Sequence, residues 1–281
     1  MTAVSFRPSY FRVLLTFARN SLVRDMTFRG NFLIETVSSM SWVLMNLGFY
    51  TLIFHYTPML GEGTGWGKYQ FFLFLSTTLV INSLMQVFFM ENAHEFSELI
   101  RTGALDFALL KPIDTQFLIS FGRVEWSSLG NLVMGLLLMA YSLWKVEYLP
   151  GPVQVVLYPI YVASGVAILY SLMITLATSA VWLGRNQTLY DFWFYITNFS
   201  RYPMEIYRGT FGDPLRWFFT FIIPVLIVVN VPARLLVRPL NPKSPEDWIL
   251  PIFAVFATVA SLAASRWVFN RALLSYRSAS S

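Results

Sequence analysis

Apolar residues run along this chain in blocks of bilayer length, separated by short polar breaks. A helix needs about 20 apolar residues to cross a hydrocarbon core. The pattern predicts spans over 31–54, 69–90, 117–144, 153–183, 189–207 and 248–269. Three breaks carry turn residues: "HYTPMLGEGTGWGKYQ" after the first block, "KVEYLPGP" after the third and "GRNQ" after the fourth. Between 189 and 240 the pattern is ambiguous. Two apolar pieces occupy a stretch with room for one net crossing. Either the first crosses and the second dips in and returns, or the first lies on the surface and the second crosses. Pro224 and Pro232 favour the dip, because broken helices survive at membrane depth only inside protein or beside water. Arg201, Arg208 and Arg216 oppose it, because the dip leaves them outside. The residues alone leave the two readings level.

Two segments break the span pattern. Residues 7–29 carry arginines at 7, 12, 19, 24 and 29 and cannot cross. On a helical wheel Phe11, Leu14, Leu15, Ala18 and Leu22 share a face, and Arg12, Thr16, Arg19 and Asn20 lie away from it. The reading is a helix lying in the membrane interface, with Arg12 and Arg19 toward anionic headgroups. Residues 91–116 read as a helix, a glycine break at Gly103, a second short helix "ALDFALL", a proline break at Pro112, and Asp114 capping the start of the third span. Leu105, Phe107, Leu109 and Leu110 are expected on its exposed face. Such a face marks a docking site or packs on its own bundle, and both readings stand.

Composition agrees with a membrane bundle. Of 281 residues, 56% are hydrophobic and only 12% charged, against about 25% in soluble domains. The chain has no cysteine, which removes disulfides and thiolate chemistry. No early apolar core with a small-residue cleavage site is visible, so an uncleaved multispan protein is expected. The net charge of +5 is scattered and makes no nucleic-acid patch. Arginines before the first span and at 266, 271 and 277 place both termini in the cytoplasm, which requires an even number of spans. Trp66, Trp144 and Trp248 fall at span ends on one side, and Trp126, Trp182 and Trp267 on the other, as in an aromatic belt. Trp42, at mid-span, is expected to pack.

The polar inventory excludes several chemistries. "GWGK" fails as a phosphate loop: Glu62 stands where glycine is needed and Tyr69 where Ser or Thr is. His55 and His94 fall in loops, so no serine–histidine pair lies in the membrane, and "HEFSE" lacks the second histidine of a zinc helix. No catalytic or metal residues are assigned. Deep polar residues are neutral: Asn46, Asn82, Asn131 and Asn198. They read first as helix–helix hydrogen bonds, with Asn46 and Asn198 as residues of a translocation path. An ion-coupled carrier or channel is the competing function.

Glu98, Arg101, Gly103, Leu105, Leu109 and Pro112 resemble the cytoplasmic signature of type-two ABC exporter permeases. "IRTGALDFALLKPID" is similar to the branch in which two unlike permeases accompany one ATPase. The basic entrance helix, the six spans, and "RYPMEIY" before "FTFIIPVLIVVNVPARLL" also have counterparts there, although Ile223-Pro224 stands where the family commonly has Asn-Pro. The resemblance implies an all-α membrane protein of six spans with an interfacial helix, a coupling helix at 91–116, and an exoplasmic re-entrant hairpin at 213–236 containing Pro214, Pro224 and Pro232. It further implies two ATPase subunits carrying ATP and Mg, a second permease, export of an amphipathic molecule, and a bacterial inner membrane. The chain itself would bind no cofactor.

Overall fold

The structure is a computed structural model and describes residues 9–61, 64–146, 149–183, 187–238 and 245–276. Arg7, Glu62 and Arg277, and the side chains of 187–191 and 245–247, lie outside the described residues. Helices make up nearly all of the rest. Helix α1 (Tyr10–Thr27) lies at the amino end and α2 (Arg29–Tyr56) comes next. An isolated bridge, Met59–Gly67, closes the loop after it. Helix α3 (Lys68–Met85) runs through one wide i→i+5 turn, Gln86–Met90, into α4 (Glu91–Thr102). The result is one rod of 35 residues, Lys68–Thr102, about 50 Å long.

Short α5 (Leu105–Leu109) and α6 (Thr115–Phe121) come next, then α7 (Leu129–Lys145), α8 (Pro152–Thr178), α9 (Ala180–Leu183) and α10 (Gln187–Asn198). Tight turns at Phe199–Arg201 and Met204–Tyr207 lead to α11 (Gly212–Trp217) and a wide turn, Phe218–Ile222. Helices α12 (Val225–Val237) and α13 (Pro245–Ser275) complete the chain. Among the described residues five helices are long and apolar enough to cross a membrane, and the bent pair Gly212–Ile222 and Val225–Val237, meeting at 88°, makes a sixth if taken as one span.

Two elements differ from the sequence expectation. The stretch 117–144 is interrupted at Gly122–Glu125. That irregular backbone is satisfied from other elements: Asn92 exchanges hydrogen bonds with the Arg123 backbone at 2.7 and 2.8 Å, the Val124 N–H donates to Ser21 Oγ, and the Glu125 N–H to the Val87 carbonyl. The second difference is 189–207, where the α-helix ends at Asn198. From Gln187 to Arg201 the helix and the turn after it reach only about 24 Å.

The core forms around α3, α8 and α12. Phe71, Leu73, Phe74, Ile81 and Met85 of α3 are completely enclosed, as is almost all of α12. Pro232 gives no N–H to the Val228 carbonyl four residues back. That carbonyl faces Gly165 of α8, where an added Cβ would stand 2.8 Å from it. A glycine is therefore needed at 165 for α12 to lie this close. Of the five long apolar helices α2 is the least packed, burying only Val43 and Tyr50. Trp42 is 60% exposed on its outer side, so it does not pack within the chain.

Candidate functional site

The segment 91–116 forms a stiff, folded projection. Helix α4 ends because Gly103 takes φ +73°, a left-handed conformation that residues with a Cβ rarely adopt; its N–H donates to the Ile100 carbonyl at 3.3 Å. Arg101 grips Glu98 one turn earlier through two hydrogen bonds, Nε to Oε2 at 2.8 Å and Nη2 to Oε1. Arg101, first by hydrogen bonding, holds the Glu98 carboxyl below its ordinary value. Both side chains are exposed, so the pair sets orientation more than stability.

Leu105 is fully buried, contrary to the expectation of an outward leucine. Leu105 and Ala108 stand three residues apart on one face of α5, and both turn into the core that contains Phe96. The outward face is Phe107 at 73% exposure, Leu110 at 81%, and partly Leu109, with Pro112 exposed beyond them. Behind this face a cavity of about 380 Å³ opens between α1, α4, α5 and α6, lined by Phe17, Leu99, Phe107, Leu118 and Lys111 among others. Asp114 ends the projection by accepting from the Phe117 N–H at 2.9 Å, which starts α6. Its carboxyl is held low, chiefly by a hydrogen bond from Arg266.

Helix α1 lies against this region and shows three faces. Ser21 and the Ala18 carbonyl point inward; the carbonyl accepts from Trp126 Nε1 at 3.1 Å, and Tyr10 meets Phe117 edge-on. Phe11, Leu15, Leu22 and Met26 form an exposed apolar stripe, and Arg12, Thr16 and Arg19 are exposed beside it. Leu14, expected on the apolar stripe, is partly buried on the inward side instead. Beneath α1 a second cavity, about 350 Å³, gathers Arg24, Glu35, Glu91, Arg123 and Glu125. Burial, then neighbouring carboxylates, raise the Glu125 carboxyl above its ordinary value against a hydrogen bond from Ser127.

At the other end lies a cluster that no sequence motif signals. Glu205, 3% exposed, accepts from Trp66 Nε1 at 3.0 Å, from Arg234 at 2.8 Å and from Arg238 at 3.3 Å. Burial alone would raise its carboxyl; Arg234, Trp66 and Arg238 outweigh that and hold it low. Gln154, at the start of α8, donates to the carbonyls of Leu235 and Arg238, and Asn230 accepts from the Met204 N–H. The stretch 205–238 therefore begins and ends at one place. Pro214 lies in the first turn of α11, Pro224 at the 88° bend and Pro232 inside α12.

Asn46 and Asn198 are not brought to a common cavity by any contact of their own. Asn46 is half-buried and bonds the Trp42 carbonyl of its own helix, and Asn198 ends α10, also half-buried. An acid such as Glu205 between aromatics is the one available sign of the Glu205 cluster, because lipid does not accept an unpaired carboxylate.

A family model described as ABC-2 family transporter protein matches residues 40–280. No curated protein and no solved structure matches the chain. With most of its length matched and its helices long and apolar enough to span a bilayer, the chain belongs to the ABC-2 family transporter proteins and is a multi-pass membrane permease of an ABC transporter.

Proposed function

We propose that this chain is the membrane subunit of an exporter for amphipathic molecules, driven by separate ATPase subunits that grip the 91–116 projection. Two ATPases, which carry the ATP and Mg, and a second permease (a copy or an unlike homologue) complete the complex. It sits in a bacterial inner membrane with both termini cytoplasmic. The observation that carries this reading is the projection itself. Its apolar tip, Phe107 and Leu110, faces away from the chain on a framework fixed by Gly103, Pro112 and the Asp114 cap.

The mechanism rests on stiffness. Helices α3 and α4 form one rod, so a push on α4 is transmitted along about 50 Å. The wide turn at Gln86–Met90 is the place along that rod where the hydrogen-bond ladder changes register. Helix α1, bonded through Ser21 and Ala18 to the 122–126 break, moves with it. At the outer end we read 213–236 as a re-entrant hairpin and α10, with the turn after it, as the fifth crossing. The support is that Glu205 joins both ends of the stretch 205–238 and also Trp66. Arg234 and Arg238 are paired with Glu205, and Arg201 lies over the Phe194 ring at 5.5 Å, which lessens the penalty of arginines on the outer side.

The test is retention of the ATPase that co-purifies with the chain. Phe107→Asp with Leu110→Asp is expected to reduce retention at least tenfold, with normal membrane abundance, because each places a charge in a dry groove. Full retention by the double variant would refute the docking site. Transport by the detergent-purified chain alone would refute the function.

A further inference from the structure

The far end of the projection is tied to the last helix. Asp114, the cap of α6, accepts from Arg266 of α13, Nη1 to Oδ1 at 3.1 Å, and a second nitrogen of Arg266 reaches Oδ2. The same Nη1 donates to Gln116 Oε1 at 2.9 Å. Gln116 Nε2 in turn donates to the Tyr170 hydroxyl of α8 at 3.0 Å, and Ser120 Oγ lies 2.7 Å from that hydroxyl. Nearby, the rings of Phe96 in α4 and Phe269 in α13 meet at 5.7 Å, both enclosed. Tyr276, just past α13, is close enough to Asp106 of α5 to interact with its carboxylate. Residues 96, 106 and 114 of the projection are thus matched by 269, 276 and 266 at the carboxyl end.

We propose that Arg266 is a positioning residue that makes α13 a further output of the coupling projection, so that its displacement turns α13 and, through Tyr170, α8. This rests on the reading of 91–116 as the ATPase grip. A guanidinium held by acceptors on two residues has its plane fixed, which a point-charge ammonium cannot reproduce. Since Arg266 and Asp114 remain partly exposed, the pair adds little to stability, and what it fixes is register. The rings of Phe96 and Phe269 hold the two elements in contact but allow sliding, and the fork removes that freedom.

The chain has no native cysteine, so spin-label pairs can be placed without background. One pair, Thr102→Cys with Val259→Cys, reports the projection against α13. A second, Val133→Cys with Val259→Cys, reports α7 against α13. The complex with its co-purifying ATPase is reconstituted and trapped with ADP and vanadate. In the wild-type background the 133–259 distance is expected to change on trapping while 102–259 stays constant. In Arg266→Gln the 133–259 change should be lost and 102–259 should begin to move, with ATPase retention unaltered. Arg266→Lys should restore the change only in part. If Arg266→Gln lowers yield or Tm but leaves both distance changes as in wild type, the residue only supports the fold and the inference is overturned. It is also overturned, with the ATPase grip intact, if the wild-type 133–259 distance does not change while bound ATPase hydrolyses ATP. If no ATPase is retained, the docking reading fails and this inference falls with it.

Discussion

Glu205 has the most demanding surroundings of any carboxylate described in the chain. It is enclosed, accepts from three side chains, and neutralises part of two arginine charges. Glu205→Gln keeps the shape and removes the charge. Removing one partner of a buried pair typically destabilises by about 3–5 kcal/mol, and a loss at the lower end is expected because Arg238 is partly exposed. The pH sign comes from the lowered carboxyl. Its contribution is fully present above the ordinary glutamate value of 4.5 and is lost as pH falls through the lowered value. Thermal melts in detergent should therefore show wild type losing stability below about pH 4, while Glu205→Gln loses less over that window. Equal slopes would show that Glu205 does not carry the acid sensitivity. None of this was legible in the sequence beyond the oddity of an acid in "RYPMEIY". Its partners lie 139, 29 and 33 residues away, and such separations leave no local pattern.

At the scale of elements, legibility tracked locality. The long spans, Gly103 as a stop and Asp114 as a cap could be read because apolar period, a left-handed position and a capping oxygen are all local properties. The break at 122–125 could not, because Asn92, Ser21 and Val87 supply its hydrogen bonds from other elements. Leu105 departs from the expectation for a related reason. A five-residue amphipathic helix shows two faces, and only its neighbours decide which turns inward. Leu105→Asp would therefore strike the core and confound folding with docking, whereas Phe107 and Leu110 separate them. Helix α1 offers a cleaner case. Spin labels at 11, 15 and 22 should report shallow lipid contact and labels at 16 and 19 water. A label at 14 should be immobile, held against the bundle. Water at all six positions would refute the interfacial placement.

The molecule as a whole has two differently built ends. The end that carries the 91–116 projection joins α1, α4, α6 and α13 through side-chain forks and backbone bridges. The opposite end is closed by Glu205, Trp66, Gln154 and the two arginines. If those outer groups mark one aqueous face, single cysteines at Thr210 and Leu149 should both react with a membrane-impermeant maleimide from outside, and one at Leu110 only from inside. Reaction of Thr210 on the same side as Leu110 would establish that 213–236 crosses after all.

The Glu205 cluster also imposes an order in time. Trp66 is made first, Glu205 comes 139 residues later, and Arg234 only after 29 more. At about 5–20 residues per second, the carboxylate waits on the order of seconds before its first arginine exists. During that interval it must remain hydrated, because burying an unpaired carboxylate is strongly unfavourable. The segment around 205 can therefore settle onto α3 only after synthesis passes residue 238. A ribosome stalled between those points should leave a chain whose 204–207 turn is open to protease, although the helices from α2 to α8 are already in the bilayer.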